Sequence, residues 1–369
     1  MNKNYKIEME TLTPVHIGSG EKAIFGLDYY LEGTKVIFID LPELIEAVNK
    51  EEMERLSRSI KQMKIKDIKF MVKKYGKELY TIENKADTRR REIDTILKTH
   101  GGYVYIPGSS LKGAIRTSLI YDRIGEEEEK RKISGIAKHE RISKKIANEK
   151  ISDIEGAMES ILKKNVSGKE IDMLSSLIIR DSEVKKVDEC TSVCTLNISI
   201  SEGAFAHSQL IEVINPNVKF EGKISIKGTV ISIEKIKDAA NKFASAIIGH
   251  EKKIYGNYLK WWSRKEGIKT ESLLKIYENL GEEMENLGKN DFLLNLGRHS
   301  GHHIKTGWST FDELLFDKGT SEEIADLLRI KFPPKKKKVR EPFPKTRRAI
   351  MERGNLKPLG WVKVRVYEN

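Results

Sequence analysis

Alternating apolar and polar residues predict half-buried strands in both halves of the chain. Residues 5–9 place Tyr, Ile and Met at every second position, and residues 196–200 repeat the alternation with Leu and Ile. Elsewhere, apolar residues recur at helical spacing over 111–119 and 239–261, which predicts two amphipathic helices. The order strand–helix–strand–strand–helix–strand is therefore expected twice, which is typical of two ferredoxin-like units of an α+β fold.

The same pattern indicates where these units begin and end. We predict an N-terminal ferredoxin-like domain over residues 1–186 and a C-terminal one over 187–369, with a basic tail region at 331–369. Residues from about 124 to 176 interrupt the first unit with a dense mixture of Lys, Arg and Glu and a narrow apolar stripe. This composition predicts an inserted helical region that is a solvated appendage.

A turn rich in glycine and serine leads into the first helix. Gly108 follows a proline, and either Ser109 or Ser110 is placed to cap the helix by accepting a backbone N–H. Lys112 and Arg116 are four residues apart and share a face that differs from the apolar face. Exposed N–H groups at a helix start, with cations beside them, suit a phosphate. The alternative is an ordinary capped helix whose cations are solvated.

The glycine spacing of this turn matches that of a P-loop, but the chemistry does not. Gly108 and Gly113 have the required separation, yet Ala114 and Ile115 follow where a P-loop needs Lys and then Ser or Thr. The stretch therefore argues against a nucleoside triphosphatase.

Two further loops combine glycine with hydrogen-bond donors. Leu12–Gly20 ends the first strand and carries His16, Gly18, Ser19 and Gly20. Near the other end of the chain, residues 297–307 carry Gly297, Arg298, His299, Ser300, Gly301 and Lys305. Loops of this composition let a ligand approach the backbone closely and present donors to it.

The net charge is concentrated in the tail. Of the formal +12, residues 331–369 supply 13 Lys/Arg against 3 Asp/Glu, a surplus of 10, and residues 1–330 supply the remaining 2. The tail includes a run of four lysines, Lys335, Lys336, Lys337 and Lys338. The tail should attract a polyanion more strongly than the rest of the chain does, so we expect phosphate contacts there.

The cysteine spacing and the hydropathy of the chain indicate the compartment in which we expect it. Cys190 and Cys194 would lie roughly 13 Å apart in a strand, at about 3.3 Å per residue, too far for a disulfide, so both are expected to be reduced. The chain has no apolar run long enough to span a membrane and no secretory signal. We therefore expect a cytoplasmic protein.

Four stretches together resemble the RAMP superfamily of CRISPR-associated proteins. They are Leu12–Gly20, Ile106–Arg116, Gly297–Gly307 and the Pro-Leu-Gly-Trp of residues 358–361. Within that superfamily, the likeness is to the subunit at the end of the backbone of the Csm, or type III-A, effector complex. One departure is His302-His303 in the last glycine loop, where the family leads us to expect a bulky apolar pair.

The resemblance implies two ferredoxin-like (RRM-like) RAMP domains whose glycine-rich loops hold guide RNA. It implies that the chain binds the 3′ portion of the guide and takes part in its maturation for antiviral defence. The implied partners are guide (CRISPR) RNA and target RNA, other Csm backbone subunits and, less directly, a recruited host nuclease. The residues expected to bind RNA are His16, Gly18, Ser19, Gly20, Gly108, Ser109, Ser110, Lys112, Arg116, Gly297, Arg298, His299, Ser300, Gly301, Lys305, Lys335, Lys336, Lys337, Lys338 and Trp361.

The histidines suggest two other functions, ribonuclease catalysis and metal binding. A metal-independent RAMP endoribonuclease that processes guide precursor could use His16 or the His299–His303 cluster as an acid or base. One histidine without a paired base and an oxyanion donor, however, is a weak catalytic site. His299, His302 and His303 are crowded, but a closed metal site needs about four ligands and this loop holds no carboxylate. We predict no catalytic residue, no metal and no cofactor. A structural adaptor whose tail binds an acidic protein is a further alternative.

Overall fold

The computed structural model describes residues 2–86, 92–99, 101–139, 143–166, 168–200, 204–262, 271–301, 318–331, 347–352 and 355–368. The strands are β1 Asn2–Thr11, β2 Gly18–Ile24, β3 Tyr29–Glu32, β4 Lys35–Ile39, β5 Glu78–Asn84, β6 Glu92–Ile96, β7 Tyr103–Val104, β8 Lys163–Val166, β9 Lys169–Asp172, β10 Leu177–Ile179, β11 Lys185–Lys186, β12 Thr191–Ile200, β13 Ala204–Ile214, β14 Lys219–Lys227, β15 Asp291–Asn295, β16 Arg347–Glu352, β17 Asn355–Lys357 and β18 Trp361–Glu368. The helices are α1 Leu41–Ala47, α2 Lys50–Lys61, α3 Ile65–Tyr75, α4 Gly108–Ile124, α5 Glu127–Ala137, α6 Lys144–Ser160, α7 Val187–Cys190, α8 Ile233–Trp262, α9 Glu271–Glu285 and α10 Lys318–Lys331. His302, His303, Lys305 and Lys335–Lys338 lie outside the described residues.

The first sheet has a ferredoxin-like strand order. Its strands follow the order β10-β14-β1-β18-β15, and every neighbouring pair is antiparallel. Taken along the chain, β1, α4, β10, β14, α8 and β18 give the β-α-β-β-α-β succession of that fold. Ile7, Phe220 and Val364 are fully buried on the face that the helices cover, because each strand alternates apolar and charged residues.

A second, larger sheet follows the path β2-β6-β13-β12-β5-β4-β3, with β16 also paired to β12 and β17 paired to β16. Both large sheets combine strands from either side of residue 186: β1 pairs with β14 and β18, and β12 pairs with β5. Neither half of the chain therefore forms a sheet by itself, and the domain boundary at 186/187 stays a prediction.

The charged stretch after β4 forms a helical hairpin beside the second sheet. A capping box at Asn49 starts α2, and Met63, with a left-handed φ of 52°, turns the chain into α3. Apolar residues of α2 and α3 pack on β3 and β4 as a small separate core of eight buried residues, which are Tyr30, Ile37, Ile39, Leu44, Leu56, Ile68, Met71 and Val72.

The predicted insertion is helical, but it is not simply a solvated appendage. Helices α5 and α6 contact each other and α10, and a β8–β9 hairpin follows them. Ile133, Ile151 and Ile154 are fully buried and belong to the main core, whereas Ile146 is exposed. The narrow apolar stripe is therefore the packed face of these helices, because α10 covers it.

The two cysteines form no disulfide, as their spacing predicts. Cys190 and Cys194 are buried and free, at the end of α7 and within β12. Helix α8 has 30 residues, yet no helix in the part of the chain that the structure describes combines the length and the apolar run needed to cross a membrane.

Candidate nucleic-acid interface

Helix α4 begins where its backbone touches the chain after β10. The amide of Gly108 donates to Oδ1 of Asp181 over 2.8 Å, and a Cβ added at Gly108 would lie 2.2 Å from the carbonyl oxygen of Ile179. Glycine is therefore required at position 108, because any side chain would clash at this close backbone approach.

The predicted serine caps are wrong. The residue before the helix is Pro107, and no side chain caps α4 from that position. Ser109 and Ser110 lie inside the first turn, Ser109 exposed and Ser110 half-buried. The capping function passes to Asp181, because its carboxylate reaches the first amide from the segment after β10.

Asp181 also changes the electrostatics of the predicted phosphate site. A helix N-terminus attracts an anion because its amides and dipole present positive charge. Here a carboxylate of the chain itself occupies that position, so the start of α4 is already compensated.

Both cations of this stretch have partners within the chain. Lys112 is half-buried, and its Nζ donates to the carbonyl of Leu177 over 2.8 Å. Arg116 lies 3.6 Å from Glu159 of α6. The apolar face is as expected, since Leu111, Ile115 and Leu119 are buried. Lys112 therefore ties α4 to β10, and only Arg116 keeps a largely solvent-facing charge.

The His16 loop and the Gly297 loop, remote in sequence, meet in the structure. The amide of Arg298 donates to the carbonyl of His16 over 2.6 Å. Gly297 has a φ of 81°, and a Cβ there would lie 2.5 Å from the same oxygen. Glycine is therefore required at this crossing by both its dihedral and the close approach.

Hydrogen bonding fixes the tautomers of two histidines at this crossing. Nδ1 of His16 lies 2.7 Å from the carbonyl of Glu212, and Nδ1 of His299 lies 2.6 Å from a guanidinium nitrogen of Arg348. A carbonyl only accepts, so His16 carries its proton on Nδ1; a guanidinium only donates, so Nδ1 of His299 accepts. The rings are 5.0 Å apart, and His299 is neutral in this arrangement.

Below the histidines lies a buried carboxylate. The side chain of Glu212 is fully buried and accepts from the amide of Ile96 over 3.1 Å and from Nζ of Lys98. Because His16 binds the backbone of the same residue, the floor of the loop is held by a buried polar network.

Two arginines stand together above this floor. Arg298 and Arg348 are exposed, and partial desolvation together with the charge of Arg298 lowers the pKa of Arg348. Neither guanidinium forms an ion pair among the described residues. His299 holds Arg348 from a backbone with φ of 69°, a conformation that costs energy outside glycine and that concentrates at functional sites.

The remaining loop residues present backbone and small side chains beside the arginines. Gly18 is half-buried, and a Cβ there would lie 2.9 Å from Nε2 of His16 and 3.5 Å from Cδ of Arg298. The hydroxyl of Ser19 is engaged with Oγ1 of Thr95 at 2.7 Å. Gly20 is exposed in open space with a φ of 91°. Half-buried Ser300 and Gly301 end the described part of the second loop.

Trp361 has a different place from the one expected. It is 1% exposed and packs edge-on against Tyr277 at 6.5 Å, so a base has no access to its ring. Its amide donates to Oγ1 of Thr13, and its carbonyl accepts from the amide of Leu12. Trp361 therefore anchors the His16 loop from below instead of forming part of the surface.

The geometry does not favour chemistry at the histidines. His16 is 0% and His299 is 6% exposed, so a phosphodiester cannot lie between the two rings without opening the loops. No cluster of three or more metal-ligating side chains occurs in the described ranges.

Sequence comparison then identifies the family. The RAMP superfamily profile matches residues 8–298, well over half of the 369-residue chain. The chain belongs to the RAMP superfamily. The match covers the His16 loop, the Gly108 turn and the start of the Gly297 loop. The resemblance inferred from the sequence is thereby confirmed.

Curated RAMP relatives extend the likeness over part of the chain. A stretch is 30% identical over 138 residues to the CRISPR system Cms protein Csm5 of Streptococcus thermophilus, which is 32% of this chain and 38% of that one. Another is 25% identical over 135 residues to the protein of the same name from Methanocaldococcus jannaschii, which is 32% of this chain and 30% of that one. The matches thus span less than half of either relative's length.

Solved RAMP structures cover the whole fold. A chain of a Csm–crRNA–target RNA ternary complex of a type III-A CRISPR–Cas system superposes with a TM-score of 0.67 over 100% of both chains at 19% identity. The crystal structure of T. onnurineus Csm5 superposes with a TM-score of 0.59 over 96% of this chain and 99% of that one, at 18% identity. The predicted fold class, α+β with paired ferredoxin-like RAMP units, is confirmed.

Three contributors to the interface escaped the sequence analysis: Asp181, Glu212 and Arg348. Asp181 lies 73 residues after the amide that it caps, and Glu212 lies 196 residues after the histidine whose Nδ1 its carbonyl accepts. Arg348 had only a local signal, its adjacency to Arg347 in a basic region. Each of these residues meets its partner through the tertiary fold, so no motif spacing in the sequence marks the pair.

Proposed function

We propose that the chain is an RNA-binding subunit of a type III-A CRISPR (Csm) effector complex. In this proposal it holds the 3′ portion of the guide RNA at the end of the backbone and takes part in guide maturation. It acts by binding, with no catalytic residue of its own, and its partners are guide and target RNA and neighbouring backbone subunits. Family membership and the likeness to Csm5 proteins support this assignment.

One observation carries the RNA-binding part of the proposal. Arg298 is exposed in the Gly297 loop, and the exposed Arg348 of β16 is held beside it by the 2.6 Å contact with Nδ1 of His299. The two charges act on each other, and neither has a carboxylate partner among the described residues. Glycines leave the backbone open beside them. Like charges held together without compensation favour an anion, and guanidinium groups bind phosphate oxygens through paired N–H donors. The interface would contact the phosphate backbone and so tolerate many sequences.

The other expected residues have graded roles in this proposal. Gly18, Gly20, Gly297 and Gly301 give the RNA backbone room, while Ser19, Ser300 and the buried His16 and His299 hold the loops in shape. Ser109, Ser110 and Arg116 form a second contact on α4, where Gly108 and Lys112 are structural. The lysines at 305 and 335–338 would add charge.

The test is the affinity of the full chain for labelled single-stranded RNA as salt is varied. Replacing Arg298 and Arg348 by Ala should weaken binding and reduce the log–log salt slope by about 1.4, since each phosphate contact contributes about 0.7. The matched control is Arg131→Ala with Lys132→Ala, which removes two exposed cations from α5. Equal loss in both variants would mean that net charge alone, and not this site, binds RNA.

A second measurement separates binding from catalysis. The purified chain should leave guide-precursor RNA intact with or without divalent ions. Cleavage that disappears in His16→Ala, with the fold preserved, would replace this proposal by the endoribonuclease alternative.

A further inference from the structure

The α2–α3 hairpin presents an exposed aromatic ring on a rigid support. Phe70 lies in the middle of α3 and is 56% exposed, the largest value among the exposed large apolar residues described. Its neighbours Ile68, Met71 and Val72 are buried in the hairpin core, so the backbone beneath the ring is well packed. A large ring kept in water on a packed helix calls for an explanation outside the fold.

The hairpin that carries this ring is strongly basic. Residues 50–77 hold ten Lys/Arg and four Asp/Glu, a surplus of six. Lys61, Lys64 and Lys66 are exposed and form no ion pair within the described ranges. Lys66 precedes Phe70 by one helical turn, so its side chain lies on the same face of α3.

The geometry between the two helices links the ring to this charge. Asp67 ties them together, since it accepts from Ser59 at 3.4 Å and pairs with Arg55 at 3.6 Å. The guanidinium carbon of Arg55 lies 6.0 Å from the centroid of the Phe70 ring. The ring is thus flanked by a guanidinium held in place, while much of its surface stays open to solvent. We call Arg55, Lys61, Lys64, Lys66 and Phe70 the Phe70 surface.

We propose that the Phe70 surface is a second binding site for single-stranded RNA, separate from the Arg298/Arg348 pair. An aromatic face that stacks a base, beside cations that follow the backbone, is the combination with which proteins hold single strands without sequence preference. A protein partner is less well matched, because the buried centres of protein interfaces are depleted in lysine and Lys66 lies on the same helix face as this ring.

The hairpin and the Arg298/Arg348 pair lie at different ends of β2. The hairpin packs on β3 and β4, and a Cβ added at Gly26, in the turn from β2 to β3, would lie 3.2 Å from Sδ of Met63. Gly18, which lies beside Arg298, is at the other end of β2, about 20 Å away at about 3.3 Å per residue. The two sites share no contact residue among the described ones, so changes at both should act additively in free energy.

The decisive experiment is the affinity of the full chain for fluorescent single-stranded oligouridine long enough to reach both sites. Phe70→Ala should weaken binding roughly fivefold or more, because base–aromatic stacking contributes at this level. Phe70→Trp should retain the affinity, since it keeps a stacking face. The matched control is Ile45→Ala on α1, which removes another apolar side chain that is 42% exposed.

The charges are tested separately. Lys64→Ala with Lys66→Ala should flatten the log–log salt slope by about 1.4, while Lys144→Ala with Lys145→Ala on α6 should change it less. Photo-crosslinking with 5-iodouridine RNA should yield a peptide that contains Phe70.

Three results would overturn the inference: unchanged affinity in Phe70→Ala, equal loss in Ile45→Ala, or 5-iodouridine crosslinks that map elsewhere and never to the Phe70 surface. These outcomes leave the proposed function intact as long as Arg298→Ala with Arg348→Ala still weakens binding. Conversely, an effect of Phe70 alone would retain this site and remove the Arg298/Arg348 assignment.

Discussion

Two glycines of helix α4 make a matched pair for testing how tightly the helix start is built. A Cβ at Gly108 would meet the carbonyl oxygen of Ile179 at 2.2 Å, whereas a Cβ at Gly113 would meet nothing within 4 Å. Both sites lie in the same helix, so intrinsic propensity favours Ala at each. Only the close approach distinguishes them.

The magnitudes follow from the contacts. Real Cβ atoms essentially never approach a heavy atom closer than 3.0 Å, so Gly108→Ala must push the strand away by about 0.8 Å. That shift strains the 2.8 Å bond from Gly108 to Asp181 and the 2.8 Å bond from Ile106 to Ser182. Overpacking and weakened hydrogen bonds together should cost about 2–4 kcal/mol. Gly113→Ala should instead stabilise by about 0.5–1 kcal/mol.

Urea and thermal unfolding of the full-length variants provide the assay. We expect Gly108→Ala to lower both midpoints and Gly113→Ala to raise them slightly, with Gly108→Val more severe than Gly108→Ala. If Gly108→Ala is as stable as Gly113→Ala, the helix start is not packed against Ile179 and the account of this corner is wrong.

Three further predictions concern stability and reactivity. Burial raises the pKa of Cys190 to about 12 and of Cys194 to about 11, so iodoacetamide at pH 8 should leave both thiols of the native chain unmodified and alkylate them once it is unfolded; rapid labelling of the native chain would contradict their burial. The pKa of Asp291 is lowered by its hydrogen bonds to Arg365 at 2.8 and 2.9 Å, so the stabilisation from this pair is present above the unfolded value of about 3.9 and is lost as pH falls through the lower folded value. The unfolding midpoint of Asp291→Asn should therefore depend less on pH between about 5 and 2 than that of the unmodified chain. Ile115→Asp places a charge at a site with 0% exposure and should prevent folding, which circular dichroism would detect; a folded variant would mean that Ile115 can reach solvent.

Local periodicity predicted the strands well because the information is local. The alternation in β1, β14 and β18 marks which residues face the helices, and the fold buries Ile7, Phe220 and Val364 accordingly. Sheet partnership is different. β1 pairs with strands from the far half of the chain, and no residue pattern within β1 specifies those partners.

Charge was harder to interpret than hydrophobicity because it averages out along the chain. Residues 1–330 carry a surplus of only 2, yet residues 50–77 inside them carry a surplus of 6. The acidic residues that cancel this sum lie elsewhere in sequence, and only the structure tells which of them also cancel it in space.

That distinction between positive charge and uncompensated positive charge separates the candidate sites. Gly108, Lys112 and Arg116 have the composition of a phosphate site, but Asp181, the carbonyl of Leu177 and Glu159 already meet them. Arg298 and Arg348 are less conspicuous in sequence. Each guanidinium is nevertheless close enough to be affected by the charge of the other, and neither pairs with a carboxylate among the described residues. A polyanion gains most where it replaces water around unpaired cations, and least where it must displace a carboxylate that the fold has placed there. The glycine-rich turn is therefore best understood as the joint that fixes α4 against β10, and the RNA-binding energy should come from the surfaces that the fold leaves uncompensated.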